Sequence, residues 1–169
     1  MNELINKHGF KQLTTFTTRP MRNGEVNGET YHFINTDEFI EKTRNGFFAE
    51  WKTYSTIKGV WYYGTAMEDL EKADDKTVVI LTPDGYRDIK DKIDGKIISI
   101  YLYANNATIK KRLAIRGDAP KEAERRVLHD NEDFKGIENE VDRIVYNNES
   151  DTIDGAVQKI LKYMSEVQG

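Results

Sequence analysis

TTRPMRNGEVNGETYHF, residues 17–33, is the stretch on which the reading of this chain turns. Arg19 and Arg22 stand three apart around Pro20, whose ring fixes the local backbone, so two planar guanidinium forks can aim at one point. A phosphate dianion suits that geometry. Each charge-assisted contact shielded from water contributes roughly 1.5–3 kcal/mol, and the Tyr31 hydroxyl adds a donor. Taken by itself, an RPxR sequence reads sooner as a solvated loop with surface arginines, and it is the surrounding residues that reverse this. Asn23 to Gly28 is a turn-rich loop leading into a short strand, Tyr31 to Ile34.

Outward from there, Asn2 to His8 reads as the tail of a helix stopped by Gly9. Phe10 to Thr18 alternates apolar and polar residues as a half-buried strand that ends at Arg19-Pro20. Asp37 to Arg44 is a helix with Asn35 or Thr36 as N-cap and Gly46 as stop, and Phe47 to Tyr54 is another strand. From about Met67 the pattern changes to strands spaced by helices, as in parallel βαβ construction. Thr77 to Leu81 and Ile97 to Tyr103 are nearly continuous apolar runs, expected as central strands covered on both faces. Helices are expected over Ala107 to Arg116 and Lys121 to about Asp133, then a strand over Arg143 to Tyr146. A closing amphipathic helix runs over Ile153 to Val167, with Ile153, Val157, Ile160, Leu161 and Met164 on its core face.

The chain has 169 residues, 38% hydrophobic and 32% charged, enough for one sizeable core or a core with a small inserted subdomain. No linker or repeat divides it, so one domain is expected. It has no cysteine, and His8, His32 and His129 have no metal-ligand spacing, so no protein-held metal is expected. A net charge of -4 opposes a generic nucleic-acid surface. No run approaches the ~18 apolar residues of a membrane span and no apolar signal region opens the chain. A cytoplasmic protein with no membrane partner is expected.

Residues 17–33 resemble the monophosphate-binding stretch of guanylate kinases, TTRxxRxGEvnGxdYxF. The resemblance continues in order through Asp37-Glu38-Phe39, Gly46-Phe47-Phe48-Ala49-Glu50-Trp51 and Tyr62-Tyr63-Gly64-Thr65. It implies an α/β, P-loop-kinase-like parallel sheet flanked by helices, with a small, mostly antiparallel β subdomain for the monophosphate and a helical lid. By that likeness, residues 19–66 bind GMP, 67–111 and 140–169 form the core, and 112–139 form the lid region. Arg19, Arg22, Tyr31 and Tyr63 are implied to hold the GMP phosphate, while Glu50, Thr65 and Thr15 face the guanine. The chemistry agrees: guanine N1–H and its exocyclic amine both donate to a carboxylate, whereas adenine opposes it with an unprotonated nitrogen. The plainer reading makes Glu50 an outward strand residue and Tyr62-Tyr63 strand packing.

The chain departs from the family pattern in two places. It is a few residues longer between Trp51 and Tyr63, over Ser55 to Trp61, and Leu81-Thr82-Pro83-Asp84-Gly85 keeps only one of two aspartates. Asp84 is either a second base-reading carboxylate or part of a plain Pro-Asp-Gly turn. Further on, Lys111-Arg112-Leu113 to Arg116-Gly117 resembles the family's KRLxxRG, and Arg125-Arg126 the arginines after the lid. Arg112, Arg116, Arg125 and Arg126 are implied to stabilise charge on the transferred phosphoryl group; alternatively they are solvated, with Glu122 and Glu124 near enough to pair with Arg125 and Arg126. Asn147-Asn148 is similar to the segment near the adenine, with Asn147 as the candidate contact, and is also an ordinary turn.

No G-x-x-x-x-G-K-[ST] occurs in these residues, and the one Gly-Lys pair, Gly95-Lys96, lacks the upstream glycine. By resemblance that loop precedes the helix ending at His8, so residues 1–169 are expected to begin just after it and to be inactive alone. The expected activity, given that loop, is transfer of the γ-phosphoryl of Mg²⁺-bound ATP to GMP or dGMP. Two alternatives stand beside it: a noncatalytic guanylate-kinase-like interaction module, and a kinase for another nucleoside monophosphate. A homo-oligomer is compatible with each.

Overall fold

The structure, a computed structural model, describes residues 1–56, 59–93 and 97–168, the side chain of Gln168 excepted. Ile57-Lys58, in the lengthened stretch, and the Gly95-Lys96 pair lie outside the described residues. The chain divides into two compact units, Met1–Lys96 and Ile97–Gly169.

In the first unit, α1 (Asn2–His8) ends as expected at Gly9. Its φ of 69° suits a glycine, and its N–H bonds back to the Leu4 carbonyl. β1 (Lys11–Gln12) follows, then β2 (Phe16–Thr17), so the expected strand over Phe10 to Thr18 is two short pieces. The reason lies in their partners. β1 pairs in parallel with β6 (Thr77–Val78), whereas β2 pairs with β3 (His32–Phe33) and antiparallel with β5 (Gly59–Ala66). The chain has to change ladders between them. β5 also pairs antiparallel with β4 (Phe48–Thr56), giving a mixed sheet ordered β3-β2-β5-β4.

One face of that sheet is apolar and aromatic. Phe39, on α2 (Thr36–Arg44), is fully buried and stacks on Phe48 at 4.4 Å, while Phe16 meets Phe47 and Phe48 edge-on. Asn35 is the N-cap of α2, its Oδ1 accepting from Glu38 N–H at 2.8 Å. Side chains alternate along a strand, so the other face carries Thr17, Phe33, Glu50, Lys52, Tyr63 and Thr65, with Glu50 opposite Thr65 and Lys52 opposite Tyr63. The register shifts between Phe48 and Glu50. Such a bulge frees a backbone carbonyl, and here Lys92 Nζ donates to that of Ala49.

Two helices complete the unit: α3 (Met67–Glu71) and α4 (Pro83–Lys90). The Pro-Asp-Gly segment is therefore the start of a helix and not a free turn. Thr82 caps it, its hydroxyl accepting from Gly85 N–H at 3.1 Å, and Pro83 takes the first turn, where its missing N–H costs nothing.

In the second unit, β7 (Ile100–Tyr103) pairs in parallel with β8 (Arg143–Tyr146). α5 (Asn106–Ile115), capped by Asn105, packs on α6 (Pro120–Asp133) through Ile109, Leu113, Ala123 and Val127. α7 (Ile153–Gln168) buries Ala156 and Val157, but Ile153, expected on its core face, sits in the first turn and is 64% exposed. The two apolar runs are shorter strands than expected, and each lies in a two-stranded ladder. β6 stops where its two-residue partner stops, leaving Ile80 74% exposed. β7 begins after Ser99, whose N–H and hydroxyl both donate to Asp142.

Candidate functional site

The polar face of the mixed sheet holds a buried carboxylate. Glu50 is 8% exposed and accepts a 2.5 Å hydrogen bond at Oε1 from the hydroxyl of Thr65, which is fully buried. Burial pushes the Glu50 pKa up, and the Thr65 bond and the charges of Lys52 and Lys92 pull against that shift. Lys52, on the same strand face, forms an ion pair at 2.9 Å with Asp88 of α4. Gly85 of α4 comes so close that a Cβ there would lie 3.3 Å from Glu50 Oε2.

Next to it is a cationic cradle. Arg19 is 4% exposed, its guanidinium lying 5.5 Å from the Tyr31 ring centre and 5.6 Å from that of Phe33. Tyr31 in turn meets Tyr63 edge-on at 6.1 Å. Burial alone would lower the Arg19 pKa, but bonding to Glu25 and interaction with Tyr63 more than offset it, so the cation is secure. Burial raises the Tyr31 pKa, which keeps its phenol a donor. Arg22 is exposed, and its guanidinium makes no hydrogen bond or ion pair among the described residues. The structure thus brings Arg19, Tyr31 and Tyr63 together, beside the exposed Arg22, on the face that bears Glu50 and Thr65.

Two candidates are placed differently. Thr15 lies between β1 and β2, where its carbonyl accepts from His32 N–H. Asp84 is 66% exposed, its carboxylate paired with Arg87 one helical turn on, at 2.9 Å. What sequence reasoning missed is Glu25, which takes the Arg19 fork at 3.0 and 2.7 Å. The signal was present in residues 17–33: a carboxylate six residues after one arginine and three after the other, in a loop with glycine before it.

The second unit holds the other candidates. Arg112 Nη2 donates to the carbonyl and, more weakly, to Oδ1 of Asn147, at 3.0 and 3.3 Å, so these two residues do meet. The Asn147-Asn148 turn is tied further by Asn105 N–H donating to Asn148 Oδ1. Arg116 pairs with Asp118 through two bonds, at 2.6 and 2.9 Å. Arg125 and Arg126 both grip the buried Glu122, which their hydrogen bonds hold down at about 2. The four arginines therefore have three separate anchors. Among the described residues no group of three or more histidines and carboxylates could hold a metal ion, and no helix is long and apolar enough to cross a membrane.

Parallel ladders flanked by helices, with a mixed sheet carrying a buried carboxylate beside an arginine-tyrosine cluster, define an α/β protein of the P-loop-kinase-like class. The crystal structure of guanylate kinase from Anaplasma phagocytophilum has this fold. It matches with a TM-score of 0.67 over 99% of this chain and 79% of that one, at 22% identity. The family model described as Guanylate kinase matches residues 2–166, and the chain belongs to the guanylate kinase family. It is 33% identical to a guanylate kinase of Wolinella succinogenes over 146 residues, covering 83% of this chain and 65% of that protein. A guanylate kinase of Campylobacter jejuni is 31% identical over 150 residues, 86% of this chain and 71% of its own length.

Proposed function

We propose that the chain is the GMP-holding part of a guanylate-kinase-type phosphotransferase, in which GMP or dGMP accepts the γ-phosphoryl of ATP to give GDP or dGDP. One observation carries this reading: the buried Glu50, bonded to Thr65, shares a sheet face with the Arg19, Tyr31 and Tyr63 cluster. An ionised Glu50 accepts from guanine N1–H and the exocyclic amine; the Thr65 hydroxyl, whose one proton goes to Glu50 Oε1 without the base, turns it to O6 when guanine binds, and Thr15 serves O6 by likeness. Good bidentate base contacts discriminate by roughly 1–3 kcal/mol each. Asp84 is carried only by resemblance, as a second carboxylate near the base. Arg19, Arg22, Tyr31 and Tyr63 supply donors to the phosphate.

On the donor side, Arg112, Arg116, Arg125 and Arg126 offset charge on the moving phosphoryl group, and Asn147 lies toward the adenine. Phosphoryl transfer is mostly positioning and charge neutralisation, which arginines provide without forming covalent intermediates. Mg²⁺ would arrive on the ATP phosphates and neutralise part of their charge. GMP and ATP belong to the cytoplasmic purine pool, so the enzyme works there, with no nucleic acid or membrane partner required.

Calorimetric titration with GMP, AMP and dTMP tests the reading. GMP should bind at least about tenfold more tightly than AMP, given one good base contact; equal affinities would overturn it. A noncatalytic interaction module is the second reading, favoured by the engagement of Arg116, Arg125 and Arg126 with neighbouring carboxylates. It expects no guanine preference in the same titration. A kinase for another monophosphate would show a preference for a different base.

A further inference from the structure

We infer that Glu25 is the positioning residue of the phosphate cradle, one carboxylate that sets the spacing of Arg19 and Arg22. The inference rests on the GMP reading and deepens it. Glu25 Oε2 accepts from Arg19 Nη1 at 3.0 Å and Oε1 from Arg19 Nη2 at 2.7 Å, a two-pronged pairing that fixes both the place and the plane of the guanidinium. The same Oε2 accepts from the backbone N–H of Arg22 at 2.6 Å. One oxygen is thus shared between the two arginines.

The loop is built for this return. Gly24 has φ of 83°, in the left-handed region where glycine carries no Cβ penalty, and Glu25 N–H closes the turn on the Arg22 carbonyl at 3.2 Å. Arg19 Nη1 also donates to the Pro20 carbonyl at 2.8 Å, so both of its hydrogens are committed. What remains of Arg19, its Nε and the second Nη2 hydrogen, is left for Tyr63 and an incoming anion. The Glu25 side chain is 16% exposed and that of Arg19 4%, so the pair is shielded from water and resists swinging. Arg22, pinned at its backbone with its guanidinium free among the described residues, is the movable arm. Glu25 touches no substrate in this scheme; it acts through the two arginines.

The opposite role is also chemically sensible. A carboxylate in the Arg19 fork could be a stand-in anion that an incoming phosphate must displace, and the two roles predict changes of opposite sign.

The test compares GMP with guanosine, which lacks the phosphate, by calorimetry on the wild-type protein and on Glu25→Gln, with thermal melting alongside. Glu25→Gln should bind GMP about tenfold or more weakly, the loss of one charge-assisted bond, while guanosine affinity stays within about twofold. Glu25→Asp, one methylene too short to reach both arginines, carries the same comparison where Glu25→Gln does not fold. Unchanged or tighter GMP binding overturns the inference, the latter by marking Glu25 as a stand-in. Parallel loss of guanosine and GMP binding in both variants assigns Glu25 to folding and overturns it too. A wild-type protein that binds GMP no better than guanosine removes the phosphate site itself, and the GMP reading falls with the inference.

Discussion

Glu50 and Glu25 are both acidic, both poorly exposed, and shifted in opposite directions. Burial raises Glu50, and the Arg19 hydrogen bond lowers Glu25. A carboxylate whose pKa is raised on folding penalises the folded state above that pKa, and the penalty lifts as pH falls through it. A lowered one stabilises the folded state above its unfolded value and loses that contribution as pH falls through the lowered pKa. The proposed reading of guanine requires the charged form of Glu50. Guanosine affinity should therefore decline on acidification sooner than for an ordinary glutamate. Guanosine is the right probe because it has no titrating phosphate. Glu50→Gln should weaken binding roughly ten- to hundredfold, since its amide opposes guanine N1–H, and should flatten the acid limb of the profile. An acid limb that survives in Glu50→Gln would show that another group titrates.

At the level of elements, α4 against β4 is the junction that shapes the proposed base end of the site. Gly85→Ala would set a methyl 3.3 Å from both Glu50 Oε2 and Thr82 Oγ1. Alanine gains up to ~1 kcal/mol of helix propensity, so melting should hold steady or rise while GMP affinity falls several-fold. Gly64→Ala differs, because its Cβ would meet the stacked rings, at 2.9 Å from Phe48 and 3.1 Å from Phe39. Overpacking of this kind costs ~1–3 kcal/mol and should appear as a lower Tm. In α6, Glu122→Gln removes the anchor of Arg125 and Arg126, each partly exposed, for about 1 kcal/mol. That contribution should be present above pH 4.5 and be lost as pH falls toward about 2, read as a Tm difference between the proteins that closes on acidification.

The helices were largely legible because their caps are local. Asn35 starts α2 and Gly9 ends α1 as their neighbours in sequence require. α4 was missed because Thr-Pro-Asp-Gly serves a turn and a helix start alike, and the choice depends on the residues that Ile89 and Gly85 pack against. The expected strand over residues 10–18 failed for a reason outside its own sequence, the change of ladder partner after Gln12.

For the whole molecule, the residues proposed for GMP all fall within Met1–Lys96 and the candidate transfer arginines within Ile97–Gly169. No G-x-x-x-x-G-K-[ST] occurs in residues 1–169, and ATP phosphates need such a backbone cradle. This span is thus expected to bind GMP and to give no ADP from ATP and GMP in a coupled assay. Turnover by the span would show that the donor nucleotide is held some other way.

Family and α/β class were legible in the order of residues, and so were the candidates proposed for phosphate and base, because such motifs are residue types at fixed local spacing. Only the tertiary structure decided which charges are spent on one another: Glu25 on Arg19, Glu122 on Arg125 and Arg126, Asp84 on Arg87, with Glu50 left to Thr65. Pairing depends on distance and shielding in three dimensions, and neither is written in the order of residues along a chain.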